Sequence, residues 1–403
     1  MGKSRLIFFD TSNYVDFPIG GQLTSVGNLL RYLAECHPER TGDVVLVGVT
    51  PDPSAVGKLS FLERAGQRFR FLPVAAAERD LSHTAHSLRL AFARGLVRYG
   101  RQLKITRQDC NYVQTPEAVG PVRLLCPGAR YVIFSHGSYR NMARGFRFYR
   151  GNPLVMKGFA AYLRYVLKHA ALIFVLDADS EKDYKPYSSR IVRAKNTIAL
   201  PENYERFVPH DFRGRLLFVG RLSKDKGVDG IIRALSLLPE ATGLTIVGDG
   251  EYGDTLRSMA AAPGKPADVA GKETAGDKTA KPAGDRITFT GAVTPDRVAA
   301  YMEDSDLLVM NSAFEGVPMT ILEALSHGLP VISTDVGGIG DTVRFGSDAL
   351  ATDGTPESIA EAVRAIARDY RRFSEAAHGD AKQYDYRTAN AELYTHLQSV
   401  WKE

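Results

Sequence analysis

Residues 308–341, LVMNSAFEGVPMTILEALSHGLPVISTDVGGIGD, compress a strand, a loop, a helix and a second strand into one span. That compression leaves few folds open. The apolar run Leu308 to Met310 predicts a buried strand, and Pro318 sits where a helix opens, because its missing N–H would be unpaired there anyway. Gly328 and Pro330 predict the end of that helix, and Val331 onward a further strand. Glu315 then lies in the loop at the helix mouth, with Glu323 about two turns inside at 3.6 residues per turn. A helix N-terminus presents unpaired amides and partial positive charge, so Met319, Thr320 and Ile321 are candidates to hold a phosphate. Carboxylates on either side repel phosphate but accept hydrogen bonds from sugar hydroxyls. Phosphate between hydroxyl-rich groups describes a nucleotide sugar.

A chain of 403 residues is expected to hold two domains. Its three cysteines, Cys36, Cys110 and Cys126, lack metal-ligand or C-x-x-C spacing, which fits a reducing compartment. No run approaches 18 consecutive apolar residues, and Met1 to Arg5 lead straight into LIFF, so a cytosolic protein is expected. The net charge of +5 conceals an asymmetry: residues 1–195 hold 29 Lys and Arg against 15 Asp and Glu, a surplus of 14, while the rest holds 22 against 31, a deficit of 9. A basic first half predicts an anionic counterpart: a lipid headgroup layer, a phosphate-bearing acceptor or nucleic acid.

Leu6 to Phe9 predicts the first strand, followed by a loop ending in Gly20–Gly21 before a helical pattern from Leu23 to Leu33. Paired glycines there let backbone amides approach a phosphate or sugar closely. From His86 to Arg107, leucines and aromatics interleave with six basic residues, predicting a basic amphipathic helix of the kind that lies on anionic membranes. The same pattern fits a core-facing helix with a cationic solvent face. Tyr131 to Phe134 predicts a strand ending at His136, where ligands of open parallel sheets gather. Arg140, Arg144, Arg147 and Arg150 alternate with aromatics just beyond, favouring a loop that grips an anionic or sugar-bearing ligand. Asp177–Asp179 follows a strand as a metal-binding Asp-x-Asp would, but Asp304–Asp306 repeats the spacing ahead of its strand, which shows how easily the pattern arises, and both are discounted as metal sites. No metal and no cofactor other than the donor substrate is expected.

In the second half, Arg215 to Val219 predicts a strand whose carboxyl end carries Arg221 and Lys226, a candidate diphosphate clamp. Residues 248–253, GDGEYG, match G-x-G-x-x-G, with Gly248 read as a close-approach turn beside the ligand. No acidic residue follows at a strand end some twenty positions on, because 261–284 is an Ala/Gly/Lys/Pro low-complexity insertion, expected to be a disordered surface loop. A dinucleotide-dependent oxidoreductase is therefore disfavoured.

The run FVGRLSKDKG at 218–227, IVGDGE at 246–251, the block 314–338, Gly20–Gly21 and His136–Gly137 follow the order of retaining GT-B glycosyltransferases of family four, which the chain resembles. The resemblance spans the second half well and the first at scattered points. It implies an α/β fold of two Rossmann-like doubly wound domains facing a cleft. These are an acceptor-binding domain at 1–204, a nucleotide-sugar-binding domain at 205–384, and a final helix at 385–403 returning to the first. By position, Arg221 and Lys226 resemble the diphosphate clamp, Glu323 the ribose-binding glutamate, and Glu315 the glutamate facing the donor sugar. His136 resembles the first-domain histidine near that sugar, and Gly20 and Gly21 the loop approaching the phosphates.

The implied activity moves a sugar with retention from a nucleoside-diphosphate sugar, UDP first among the candidates, to a hydroxyl of a glycan or lipid-linked acceptor in cell-surface polysaccharide or glycolipid synthesis. A cytoplasmic protein is implied, held peripherally on the anionic inner face of the membrane through its basic first domain; no nucleic acid partner is expected. Two motifs depart from the family pattern. Pro201–Glu202–Asn203–Tyr204 stands at the usual Asn-Gly-Ile/Val-Asp linker, and Ile339–Gly340–Asp341 replaces the commoner Pro-Glu after Gly337–Gly338. The alternatives are a transferase of the same fold acting on nucleic acid, a related epimerase or phosphorylase, and a non-catalytic nucleotide-sugar binder.

Overall fold

The computed structural model describes residues 4–15, 21–77, 87–137, 153–261 and 283–401. The chain divides into two compact units, one of residues 1–197 and 386–403, the other of 198–385. The first junction falls at 197–198 rather than at the expected 204–205, so that Pro201–Tyr204 lies in the second unit. Tyr204 and Phe207 of that segment stack on either face of His378, at 3.9 and 4.2 Å between ring centres, which ties it to the second unit.

The first unit is built on eight strands: β1 (Leu6–Asn13), β2 (Val44–Thr50), β3 (Ser60–Arg64), β4 (Gln67–Ala76), β5 (Cys110–Val113), β6 (Arg130–Ser135), β7 (Leu172–Val175) and β8 (Ile191–Arg193). They are ordered β3-β4-β2-β1-β5-β6-β7-β8, parallel except for the β3–β4 hairpin. Residues 6–9 and every residue of β2 are buried, as continuous apolar runs in a sheet covered on both faces must be. Because β2 lies on one side of β1 and β5 on the other, the strand order reverses at β1, and the crevice beyond that reversal is where such sheets bind ligands.

The helix Leu88–Tyr99 stops at Gly100, short of the expected Arg107, and runs into a 3₁₀ turn closed by Lys104 at φ 46°. Phe92 and Leu96 turn into the core, whereas Leu90 and Val97 stay exposed beside the exposed Arg94 and Arg98. Of the two readings of this segment, a core-facing helix accounts for its buried side, and its solvent side carries both charge and apolar area.

The last helix, Tyr386–Gln398, packs on the helix Gly21–Cys36. Its seam is aromatic: His37 stacks on Tyr394 at 4.1 Å between centres, Arg40 lies over the Trp401 ring at 4.0 Å, and the Trp401 indole donates to the Ser4 carbonyl at 2.8 Å.

The second unit holds β9 (Arg215–Val219), β10 (Gly243–Val247), β11 (Ile287–Gly291), β12 (Leu307–Val309), β13 (Val331–Thr334) and β14 (Ala349–Thr352), all parallel, in the order β11-β10-β9-β12-β13-β14. Here the reversal falls at β9, between β10 and β12. Most of the insertion, 262–282, lies outside the described residues, so the expectation of a disordered loop stays an expectation.

The predicted strand-helix-strand at 308–341 forms with small shifts. Pro318 is the N-cap, with extended backbone, and the helix runs Met319–Ser326. Its end is a Schellman motif, in which the amides of Gly328 and Leu329 donate to the carbonyls of Leu325 and Ala324 at 2.9 and 3.0 Å. Gly328 has φ 69°, and a Cβ there would lie 2.2 Å from the Phe207 ring, so both turn and packing demand glycine.

Candidate functional site in two strand-end clusters

In the second unit the loops after β9, β10 and β12 meet at the strand carboxyl ends. The first two are zipped by backbone hydrogen bonds: Gly220 N–H to Val247 O at 3.0 Å, Leu222 N–H to Asp249 O at 2.9 Å and Tyr252 N–H to Leu222 O at 2.9 Å. Gly248, expected to approach a ligand, instead approaches this neighbouring loop. Its φ is 134°, and a Cβ would fall 1.9 Å from the Gly220 carbonyl. The glycine is thus required where two loops touch, a constraint the G-x-G-x-x-G reading did not include.

Lys224–Lys226 form a 3₁₀ turn ended by Gly227 at φ 60°, where a Cβ would meet the Asn311 carbonyl at 2.2 Å. Asn311 Nδ2 donates to the carbonyls of Gly227 and Gly354, and the Ala313 amide donates to Asp225 O at 2.7 Å. These bonds lock the Lys226 loop to the loop after β12 and bring Lys226 Nζ to 2.6 Å from Glu315 Oε1. Ser312 Oγ donates to the same oxygen at 2.6 Å. Glu315 is itself nearly buried, and Gly337 presses on its backbone so closely that a Cβ would be 1.8 Å from the Glu315 carbonyl.

Arg221 is held differently. Its guanidinium reaches Glu251 at 3.0 Å, and both side chains are largely exposed. Between the two cations, Asp225 is kept below the ordinary carboxylate range by its hydrogen bond from Ser223, with Lys226 and Arg221 adding to the effect.

At the helix mouth the amides of Met319 and Thr320 make no protein hydrogen bond among the described residues, while Ile321 N–H donates to Pro318 O at 3.2 Å. The Ile321 amide therefore closes the first turn and its side chain is fully buried, so of the three expected amides those of Met319 and Thr320 are the two without a described partner. Glu323 is half-buried, and no described donor reaches its carboxylate, so burial raises its pKa.

In the first unit Gly21 opens the helix Gly21–Cys36, while Gly20 and Arg140, Arg144, Arg147 and Arg150 lie outside the described residues. His136 follows β6 as expected, its ring against Phe134 at 4.9 Å between centres. Burial, with help from nearby Arg89, pushes its pKa down to about 4, so the imidazole is neutral at ordinary pH. Around it, the ends of β1 and β5 supply Asp10, which accepts from Ser12 Oγ at 2.5 Å and Thr115 Oγ1 at 3.2 Å, and Gln114, whose Oε1 lies 3.4 Å from His136 Nε2.

Both discounted Asp-x-Asp pairs serve the fold. Asp177 caps the helix Ala178–Tyr184 through Ser180, and buried Asp306 accepts from the backbone amides of Arg213 and Arg215 and from the Arg213 guanidinium. Sequence reasoning missed Glu251, Ser312 and Gln114. Glu251 and Gln114 follow a strand end within a few residues, yet their partners Arg221 and His136 come from other loops, whereas Ser312 lies three before its partner Glu315 in one loop.

Residues 213–369 match the family described as Glycosyl transferases group 1. Among curated relatives, the sulfoquinovosyl transferase of Arabidopsis thaliana is 26% identical over 44% of this chain and 32% of its own length. The D-inositol 3-phosphate glycosyltransferase of Rhodococcus jostii is 31% identical over 40% of this chain and 34% of its own. The 2-deoxystreptamine glucosyltransferase of Streptomyces kanamyceticus is 27% identical over 62% of this chain and 63% of its own. For the first relatives the match spans roughly a third to two fifths of their length.

Solved structures resemble the whole chain. The sucrose-phosphate synthase of Thermosynechococcus elongatus superposes with TM-score 0.73 at 15% identity over 99% of both chains. The lipopolysaccharide outer core galactosyltransferase WaaB does so with TM-score 0.66 at 17% identity, also over 99% of both. At such identities the likeness is one of fold, and the fold is GT-B. On that fold, the stretch from just before β9 to the end of the helix Pro356–Arg368 is the part of the chain that matches the group 1 glycosyl transferases.

Proposed function

We propose that this chain transfers a sugar, with retention, from a nucleoside-diphosphate sugar to a hydroxyl of a glycan or lipid-linked acceptor, without an essential metal. The carrying observation is the cluster of Lys226, Glu315 and the unbonded amides of Met319 and Thr320, with Glu323 further along the same helix. A diphosphate fits the cations Arg221 and Lys226 together with the amides, by charge-assisted hydrogen bonds at a helix N-terminus. Glu323, half-buried and without a described donor, fits a ribose diol. Glu315, with one oxygen held by Lys226 and Ser312, fits hydroxyls of the donor sugar. UDP is the favoured nucleotide, consistent with a neighbour of the same fold, Anabaena HepE, seen with UDP and glucose at 16% identity and TM-score 0.64.

In this reading the sugar–phosphate bond lengthens while Lys226 and Arg221 take up the charge developing on the departing diphosphate. A phosphate oxygen of the leaving group accepts the proton of the incoming hydroxyl on the same face, so the anomeric configuration is kept without a protein nucleophile. His136, neutral, takes a hydrogen-bonding role toward the sugar and does not act as a charged acid.

The first unit is assigned the acceptor. Leu90 and Val97, exposed beside Arg94 and Arg98 on one helix, favour a peripheral contact with anionic lipid. No helix among the described residues is long and apolar enough to cross a membrane. Replacing Arg94, Arg98 and Arg101 together is expected to reduce sedimentation with phosphatidylglycerol vesicles; unaltered partition removes this part of the reading.

The deciding experiment is calorimetric titration of the metal-free protein with UDP, GDP, ADP and NAD. Selective binding of one nucleoside diphosphate supports the donor site and names its base. Binding of NAD alone, or of none, overturns it.

A further inference from the structure

We infer that Gln114 is a positioning residue that accepts the Nε2 proton of His136, fixing the ring as its Nε2–H tautomer and leaving Nδ1 as the lone-pair atom that a ligand meets. The tautomer follows from protein contacts alone; its use in sugar binding rests on the role proposed for His136.

A neutral imidazole has one donor and one acceptor nitrogen, and whichever partner one nitrogen finds decides the other. His136 Nε2 faces an amide oxygen, Gln114 Oε1, at 3.4 Å. Two acceptors do not share a contact, so the proton belongs on Nε2. Gln114 is itself constrained. Its backbone amide donates to Phe9 O at 3.0 Å, fixing it at the end of β5, and its side chain also hydrogen-bonds the hydroxyl of the fully buried Tyr112. That bond acts to lower the Tyr112 pKa, as an amide N–H donated to the hydroxyl does, which leaves the amide oxygen for the histidine. The Phe134 ring limits rotation of the imidazole from the side. No described residue hydrogen-bonds Nδ1.

The consequence is chemical. An Nδ1 lone pair meets a hydroxyl proton favourably and a carboxylate or phosphate oxygen unfavourably, so His136 selects a hydroxyl at its face of the ligand. An Nδ1–H tautomer would invert that preference. Gln114 thereby acts at one remove from the ligand, through the histidine it orients.

Two-bond proton–nitrogen NMR on protein labelled with ¹⁵N in its histidine rings tests this directly, the His136 signals being assigned by their loss in His136→Gln. The wild type is expected to show the Nε2–H pattern at pH 7. Gln114→Leu is expected to release the ring into averaging between tautomers. Gln114→Glu, which keeps an acceptor oxygen, is expected to restore the Nε2–H pattern and move the ring's titration upward. An Nδ1–H pattern in the wild type, or a Gln114→Leu spectrum identical to it, overturns the inference. The wild-type spectrum decides the matter even where a variant fails to fold. UDP titration of the same sample separates the two readings: an Nε2–H ring in a protein that binds no nucleoside diphosphate retains the tautomer and removes the transferase role.

Discussion

Lys226 Nζ lies 2.6 Å from Glu315 Oε1, so the cation proposed for the diphosphate and the carboxylate proposed for the sugar hold each other before any ligand arrives. The pair is mostly shielded, with side-chain exposures of 22% and 10%, which makes it unlike a surface ion pair. Lys226→Ala should therefore do two things. It should lower UDP affinity at least tenfold, and it should destabilise the second unit by roughly 1–3 kcal/mol, because among the described residues Glu315 keeps only Ser312 as partner. Glu315→Gln should leave UDP affinity within a factor of about three while lowering transfer. Calorimetry and thermal melts read both; wild-type UDP affinity in Lys226→Ala would remove the clamp.

Glu323 combines burial with the lack of a described donor, and its pKa is raised for that reason. A carboxyl group whose folded pKa exceeds its unfolded value costs stability as pH rises through the folded pKa. Glu323→Gln should therefore raise Tm at pH 8 and leave it unchanged at pH 3. Glu323→Ala should weaken nucleotide binding by roughly 1.5–3 kcal/mol, the loss of charge-assisted bonds to the ribose. In the wild type, nucleotide affinity should fall as pH drops through the raised pKa. Undiminished binding by Glu323→Ala would contradict the ribose assignment.

Arg221 and Glu251 meet in solvent, with side-chain exposures of 69% and 61%, so their contact contributes little to the fold. Arg221→Ala is expected to melt at the wild-type temperature yet bind UDP at least tenfold more weakly. Glu251→Gln, which frees the guanidinium from a competing anion, should bind UDP more tightly, with the gain shrinking as salt is raised. Equal UDP affinity of Glu251→Gln and wild type at low salt would show that the pair does not compete with ligand.

Asp348 and Asp380 form a carboxyl pair beneath Arg344. Asp348 is fully buried, and burial, with Asp380 beside it, raises its pKa to about 7. Arg344 donates its backbone amide to Asp348 at 2.7 Å and its guanidinium to Asp380. With the folded pKa above the unfolded one, this group's stabilisation is complete below about pH 4 and is lost as pH rises through 7. Asp348→Asn should abolish that dependence and raise Tm at pH 8 by several degrees, a shift expected from a few kcal/mol in a unit of this size. Parallel Tm–pH curves for the two proteins between pH 5 and 8 would refute it.

The span 308–341 was legible because its punctuation is local: Pro318, Gly328 and Pro330 act on their own backbones, and the helix and strands fell within a residue or so of expectation. Other features depended on distant neighbours. The glycine at 248 reads from sequence as a ligand turn, and its packing against Gly220 comes to light only with the neighbouring loop in place. Glu251 and Gln114 escaped notice because their partners, Arg221 and His136, arrive from other strand ends, a juxtaposition created by parallel strand order. The helix Tyr370–Ala381 was missed outright; its Gly379, Ser374 and Asp380 are poor helix formers, and it forms by packing on the helix Met319–Ser326.

The aromatic seam between the helices Gly21–Cys36 and Tyr386–Gln398 has a consequence for biosynthesis. Ser4 and Trp401, joined through a carbonyl and an indole, are among the first and the last described residues to leave the ribosome. The second unit, contiguous from 198 to 385, can close while translation continues, whereas the first must wait with the apolar side of its opening helix uncovered. Emergence order and folding order are thus reversed for the two units, and a nascent chain halted before residue 386 would present that bare helix to chaperones and proteases.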